Sequence, residues 1–199
     1  IIILLTLCFV LFFFYQIYSF YISNKIQKNS ISFFAAQNTD DTNVITDTIT
    51  KLSNDNTFYG VLAKLELIDL TLKQNNIEDS ISMYLEIINQ NNLESVYKSA
   101  IASKASYQLI DINFENLSLN YLNIINDFIS YIDDETDSYK GIKLELKYLI
   151  KILEAEKNSI DYSSFNEVND IYENIMSSDV VSSAIKERVN KIHEFYSNK

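Results

Sequence analysis

Few residues in this chain are of types that do chemistry, and their spacing limits what they can do. His193 is the only histidine and Cys8 the only cysteine. A zinc site gathers three or four nitrogen, sulfur or carboxylate ligands, usually from paired His or Cys. One of each cannot supply such pairs, and a single cysteine closes no internal disulfide. His193 therefore reads as an exposed polar residue on the last helix. Asp133-Asp134-Glu135-Thr136-Asp137 is acidic, but it lacks the alternating ligands, central glycine and terminal glutamate of a calcium loop. It reads as a solvated turn whose carboxylates favour the N-terminus of the next helix. Gly60 and Gly141 are the only glycines, too far apart to form a phosphate-cradling loop or to flank a nucleophilic serine. Asn116-Leu117-Ser118 matches a glycosylation sequon, but it falls at an expected helix start and reads as incidental. Nucleophile, base and stabiliser cannot all be filled. The chain does not read as an enzyme, and neither cofactor nor metal is expected.

One stripe stands out for binding. Ser95, Ser99, Ser103 and Ser106 follow at helical spacing, beside Ala100, Ala102 and Ala105. Small residues let helices approach closely, so tight packing is one reading. The other is a mildly polar lining of a concave groove, bordered by Glu66, Asp69 and Lys73 of an earlier helix. The expected partner groove is thus Glu66, Asp69, Lys73, Ser99, Ser103 and Ser106.

The elements that must carry these residues begin with a span. No charged residue precedes Lys25, and Ile1–Tyr15 is almost wholly apolar. Tyr15, Tyr18 and Tyr21 follow at three-residue spacing, as an aromatic belt does where a helix leaves the hydrocarbon. The stretch is too long, and too bulky at its end, for a cleaved signal peptide. A retained anchor over residues 1–23 is expected, with part of the span lying before Ile1. Lys25 and Lys28 would favour a cytoplasmic side for the residues beyond the span.

Beyond the anchor, residues 24–199 read as helical throughout. Proline is absent and glycine nearly so, which removes the usual helix breakers. Apolar residues recur at helical periods over Asn43–Leu52, Phe58–Gln74, Ile77–Asn89, Leu93–Ile112, Phe114–Ile129, Tyr139–Lys157, Phe165–Met176 and Val180–Tyr196, while Ser30–Gln37 continues the anchor helix. Asn76, Asn92, Asn113, Ser164 and Asp179 stand where helix N-caps belong, and Ser164 with Glu167 fits a capping box. Short connections make successive helices antiparallel neighbours. The net charge of −11 repels phosphate backbones, so nucleic acid is not an expected partner.

Within this array YLEIIN at Tyr84–Asn89 is echoed by YLNIIN at Tyr121–Asn126. At the same offset Ile77 meets Phe114, Leu72 meets Leu109 and Ala63 meets Ala100. A helix pair recurring at about this period belongs to the tetratricopeptide-like class, whose pairs stack into a superhelix because one pair cannot bury its apolar face alone. The order of apolar anchor, short helix, then Tyr59, Leu62-Ala63, Leu72, Asn75-Asn76-Ile77 and Tyr84-Leu85 resembles the ancillary Sec-translocon subunit family. Asn75-Asn76 stand where that family prefers Gly-Asp, and the Trp, Gly and Pro positions of the tetratricopeptide motif are unfilled.

The expected fold is therefore all-α, a right-handed tetratricopeptide-like superhelix of antiparallel pairs preceded by one transmembrane helix. The expected function is a membrane-anchored protein-binding scaffold. The alternative is a structural envelope protein that uses the same solenoid to self-associate. The resemblance implies a bacterial inner-membrane protein with a periplasmic domain, and translocon or chaperone-like partners.

Overall fold

In a computed structural model of the chain, residues 2–133, 137–160, 162 and 165–198 are described. Among them the secondary structure is helical, with no strand. The helices are α1 (Ile2–Gln37), α2 (Thr42–Ser53), α3 (Phe58–Lys73), α4 (Ile77–Ile88), α5 (Ser95–Glu115), α6 (Leu122–Ser130), α7 (Asp137–Asn158), α8 (Asn166–Ser177) and α9 (Ser183–Ser197). The chain divides into two compact units, Ile1–Met83 and Tyr84–Lys199, with the boundary inside α4.

The N-terminal unit is built on α1, which is long and apolar enough to cross a membrane. From Thr6 to Tyr21 every side chain is exposed, including Phe9 at 72% and Phe20 at 70%. Such a helix, apolar all round, has no polar face to offer water. The same helix then changes role without a break. Phe33 and Ala36 are buried with Ile49 and Leu52 of α2 and Ala63 of α3, and Tyr59 packs against the rings of Phe33 and Phe34. The expected division at residue 23 is thus no break in the backbone, because α1 continues to Gln37 before it ends.

In the C-terminal unit α5 lies against α6 and α7, and α7 lies against α8 and α9. Tyr148, Ile152, Val168, Ile175, Val181, Ile185 and Val189 form an apolar cluster within it. Gly141 lets α7 and α9 close up: a Cβ there would meet Ile185 Cδ1 at 3.2 Å.

With so few glycines, other residues end the helices. Asn75 and Ser159 adopt left-handed backbone, with φ of 59° and 53°. After α3 the Asn76 amide donates to the Thr71 carbonyl and the Asn75 amide to Leu72; after α7 Ile160 donates to Ala155 and Ser159 to Glu156. Both ends satisfy orphan carbonyls in the paired pattern that glycine ordinarily serves. Asn75 fills that left-handed position because its short side chain tolerates it.

Several sequence expectations need correction. Asn113 does not start a helix but lies buried inside α5. Its amide donates to the Leu109 carbonyl and its Oδ1 accepts from the Tyr121 amide. The helix expected from Phe114 begins only at Leu122, because Asn116 Oδ1 accepts from the amide and hydroxyl of Ser118 and folds a turn. The sequon therefore sits in an exposed loop, not within a helix. This break also moves the repeat. Tyr84 is buried within α4, its hydroxyl on Gln108 and its ring edge-on to Phe128. Tyr121 is half-buried at the N-cap of α6, so the two echoes occupy different places on their helices. Glu94, not Asn92, precedes α5, and Ser182, not Asp179, caps α9 by accepting from the Ile185 amide. Asn76 does precede α4, and its amide donates to the Asp79 carboxylate. Ser164 and most of the acidic cluster lie outside the described residues.

Candidate functional site

The six expected groove residues fall in different units. Ser99, Ser103 and Ser106 belong to α5 of the C-terminal unit and are all buried, Ser103 at 6% exposure and the others at none. Their hydroxyls are spent inside the fold. Ser103 donates to the Ser99 carbonyl, Ser106 donates to the Ala102 carbonyl, and Ser99 Oγ accepts from the Asp133 amide. The groove reading of these serines is corrected to packing: with a single small hydroxyl beyond Cβ, satisfied within the fold, serine fits where α5 meets its neighbours. Glu66, Asp69 and Lys73 lie on α3 of the N-terminal unit. Glu66 is exposed and accepts from Gln37 Nε2 at 3.4 Å, Asp69 is half-buried, and Lys73 is exposed.

Two polar clusters missed by sequence reading organise the C-terminal unit. Glu145 of α7 is buried, with 2% exposure. Arg188 of α9 donates to it through Nε at 2.9 Å and Nη2 at 2.7 Å, and the Tyr107 hydroxyl of α5 donates to Oε2 at 2.7 Å. The only arginine in the chain is thus used as a planar fork on a buried carboxylate, and three helices meet on one charge. Burial first, and then the neighbouring Glu145 charge, push the Tyr107 hydroxyl well above its ordinary range. It stays a donor.

The second cluster surrounds His193, which is half-buried rather than exposed. Tyr172 stacks on its imidazole with centroids 3.7 Å apart. Tyr162 Oη lies 2.7 Å from Nδ1 and 2.6 Å from Tyr148 Oη. Burial lowers the His193 pKa, against a smaller upward pull from Glu194, which favours the neutral ring. Tyr148, Tyr162 and His193 satisfy one another's polar atoms. Burial raises Tyr148 first, reinforced by its bond to Tyr162, so this cluster keeps its protons. Both clusters consume their own polar groups and leave little for a ligand.

The N-terminal unit differs. Between α1 and α2 lies a cleft of about 480 Å³ lined by Lys25, Lys28, Asn29, Ser32, Asp47, Thr48, Lys51, Leu52 and Asp55. Its α1 residues follow at i, i+3, i+4 and i+7, one helical face. Its floor is fixed. Lys25 Nζ pairs with Asp55 Oδ1 at 2.9 Å, and Asn29 Nδ2 donates to Thr57 Oγ1 at 3.0 Å. Thr57 caps α3 by accepting from the Gly60 amide. Burial would raise the Asp55 carboxyl, but hydrogen bonds from Lys25 and Asn29 outweigh it and hold the group below its usual range. Gly60 is required here, since a Cβ would stand 1.9 Å from the Asp55 carbonyl oxygen.

Among the described residues no group of three or more His, Cys, Asp or Glu gathers as metal ligands would. No protein-family model, no curated protein and no solved structure matches this chain.

Proposed function

We propose that the chain is a membrane-anchored helical scaffold that binds other proteins. The observation that carries this reading is α1: a helix with a fully exposed apolar surface from Thr6 to Tyr21 that runs unbroken into a packed helical unit. In water that surface is a heavy liability; in hydrocarbon it is the ordinary exterior of a span. Adjacent helices in contact, α5 with α6 and α7 with α8, together with α5 against α7, support a stack of hairpins of the tetratricopeptide-like kind. Such stacks present extended faces to partners, and the exposed Glu66 and Lys73 of α3 are open for that use. The resemblance to ancillary translocon subunits makes a bacterial inner-membrane site, with the helical domain in the periplasm, the specific form of the proposal. Partners would then be translocon or chaperone-like proteins.

Alkaline carbonate extraction tests the anchor: the intact chain stays with the membrane, and its release into the supernatant would overturn the reading. Protease protection in sealed vesicles tests the side. A photo-crosslinking residue placed at Phe195 or Val96, both exposed, tests the scaffold role. Adducts to a different protein support it, whereas adducts only to a second copy would replace it with a self-associating structural role.

A further inference from the structure

The cleft between α1 and α2 has the chemistry of an anion site. Lys28 and Lys51 are exposed on its opposite walls. Among the described residues no carboxylate lies within ion-pair distance of either, and the Ser32 and Thr48 hydroxyls, also in the lining, donate to no protein group. Of the two carboxylates present, Asp55 is already taken up by Lys25; Asp47 stands one turn from Lys51 on α2 and opposes an anion. This concentration of free cationic and hydroxyl donors occurs in a chain of net charge −11, so a general affinity of the protein for anions does not account for it.

Its place along α1 indicates the source of the anion. At the helical rise, Lys25 and Lys28 lie about 6 Å and about 10 Å beyond Tyr21. The headgroup layer beyond the hydrocarbon is roughly 5–8 Å deep on each side. With the tyrosines at the hydrocarbon edge, Lys25 lies within that layer and Lys28 just beyond it, near enough for its long side chain to reach back toward the phosphates, where an anionic leaflet attracts lysines. We propose that the cleft holds the phosphate of an anionic phospholipid headgroup between Lys28 and Lys51. The lipid as source rests on α1 being a span; the phosphate chemistry does not.

The test uses the full chain reconstituted into nanodiscs of phosphatidylcholine containing a minor share of phosphatidylglycerol, with the lipid that stays bound to the chain after detergent extraction counted by native mass spectrometry. Each lysine near an anionic surface is worth roughly fivefold, so about 25-fold enrichment of phosphatidylglycerol is expected from the pair. Lys28→Gln with Lys51→Gln should abolish the enrichment, Asp47→Asn should raise it, and Lys147→Gln, at an exposed lysine of α7, should leave it unchanged. A chain that enters the discs but retains both lipids equally overturns the cleft and leaves the anchor standing. Equal loss with Lys147→Gln overturns it as well, because bulk charge would then explain the binding. A chain that fails to enter the discs overturns the anchor and the lipid source together. Titration of that chain with inorganic phosphate then decides the rest: phosphorus resonance shifts lost in the double variant uphold the anion site, and their absence in the wild type removes it.

Discussion

Asp55 and Glu145 are both carboxylates tied to a cation on another helix, yet their surroundings differ in one decisive respect. Glu145 is almost fully buried and receives three donors, from Arg188 and Tyr107. Asp55 meets Lys25 at the floor of a cleft whose upper walls carry two further lysines. A closed cluster satisfies itself and fixes the packing of the helices it joins. An open one leaves donors facing solvent and is available to a ligand. The number of unspent donors, more than the presence of charge, separates the two clusters.

The largest effect should come from opening the closed cluster. Arg188→Leu strands the buried Glu145 charge, and breaking such a pair from one side costs about 3 kcal/mol or more; the partly exposed arginine places the loss at the low end of that range. Thermal or urea melts of the variant check it, and an unchanged midpoint would mean that Glu145 finds water in place of Arg188. Next is the pair of glycines. Gly60→Ala drives a methyl into the Asp55 carbonyl and should cost about 1–3 kcal/mol, and it should weaken the cleft with the fold. Gly141→Ala is crowded only by the movable end of Ile185, at 3.2 Å, with Val181 at ordinary contact distance, so the gain in helix propensity leaves it near neutral. Equal melting losses in the two variants would erase the distinction between backbone and side-chain contact.

A smaller effect concerns pH. Burial holds the folded His193 below its ordinary value of 6.5, so as pH falls the unfolded chain takes up the proton first. The stability tied to this imidazole is complete above about 6.5 and declines as pH drops below it. Melting temperatures taken from about pH 7 to about pH 5.5 should fall, and His193→Gln should flatten the slope. The smallest effect is on the open cluster. Lys28→Gln with Lys51→Gln removes no protein contact, so the melting midpoint should move by no more than about 0.5 kcal/mol equivalent. A large destabilisation there would make the cleft a structural element like Glu145.

The helices themselves were largely legible in the sequence. Asn43–Leu52, Phe58–Gln74, Ile77–Asn89 and Tyr139–Lys157 lie within about two residues of α2, α3, α4 and α7, within the usual disagreement over helix ends, because apolar period and absent breakers agree there. The α5–α6 connection was hidden for the same reason. Asn113 and Phe114 continue the period, and only the side chain of Asn116, bonding forward to Ser118, breaks it. The polar clusters were hidden by distance along the chain. Glu145 and Arg188 are separated by 43 positions, and Tyr148 and His193 by 45. Two signals were nonetheless present: a solitary arginine, and a glutamate set between Leu144 and Leu146. The cleft was half visible. Lys25 and Lys28 bear on orientation, but Lys51 joins them only once α2 folds back along α1.

The continuity of α1 has a mechanical consequence. No glycine or proline interrupts its 36 residues, so it lacks the usual points at which a helix bends sharply. At the helical rise it is a rod about 54 Å long, with one part bare and the other clamped by α2 and α3. Seated in a bilayer, such a rod answers a change in thickness by tilting, and every degree of tilt is handed undiminished to the two helices fastened to its far end. With no joint between the bare part and the folded part, the thickness of a membrane holding the proposed span would be a coordinate that sets the attitude of the N-terminal unit.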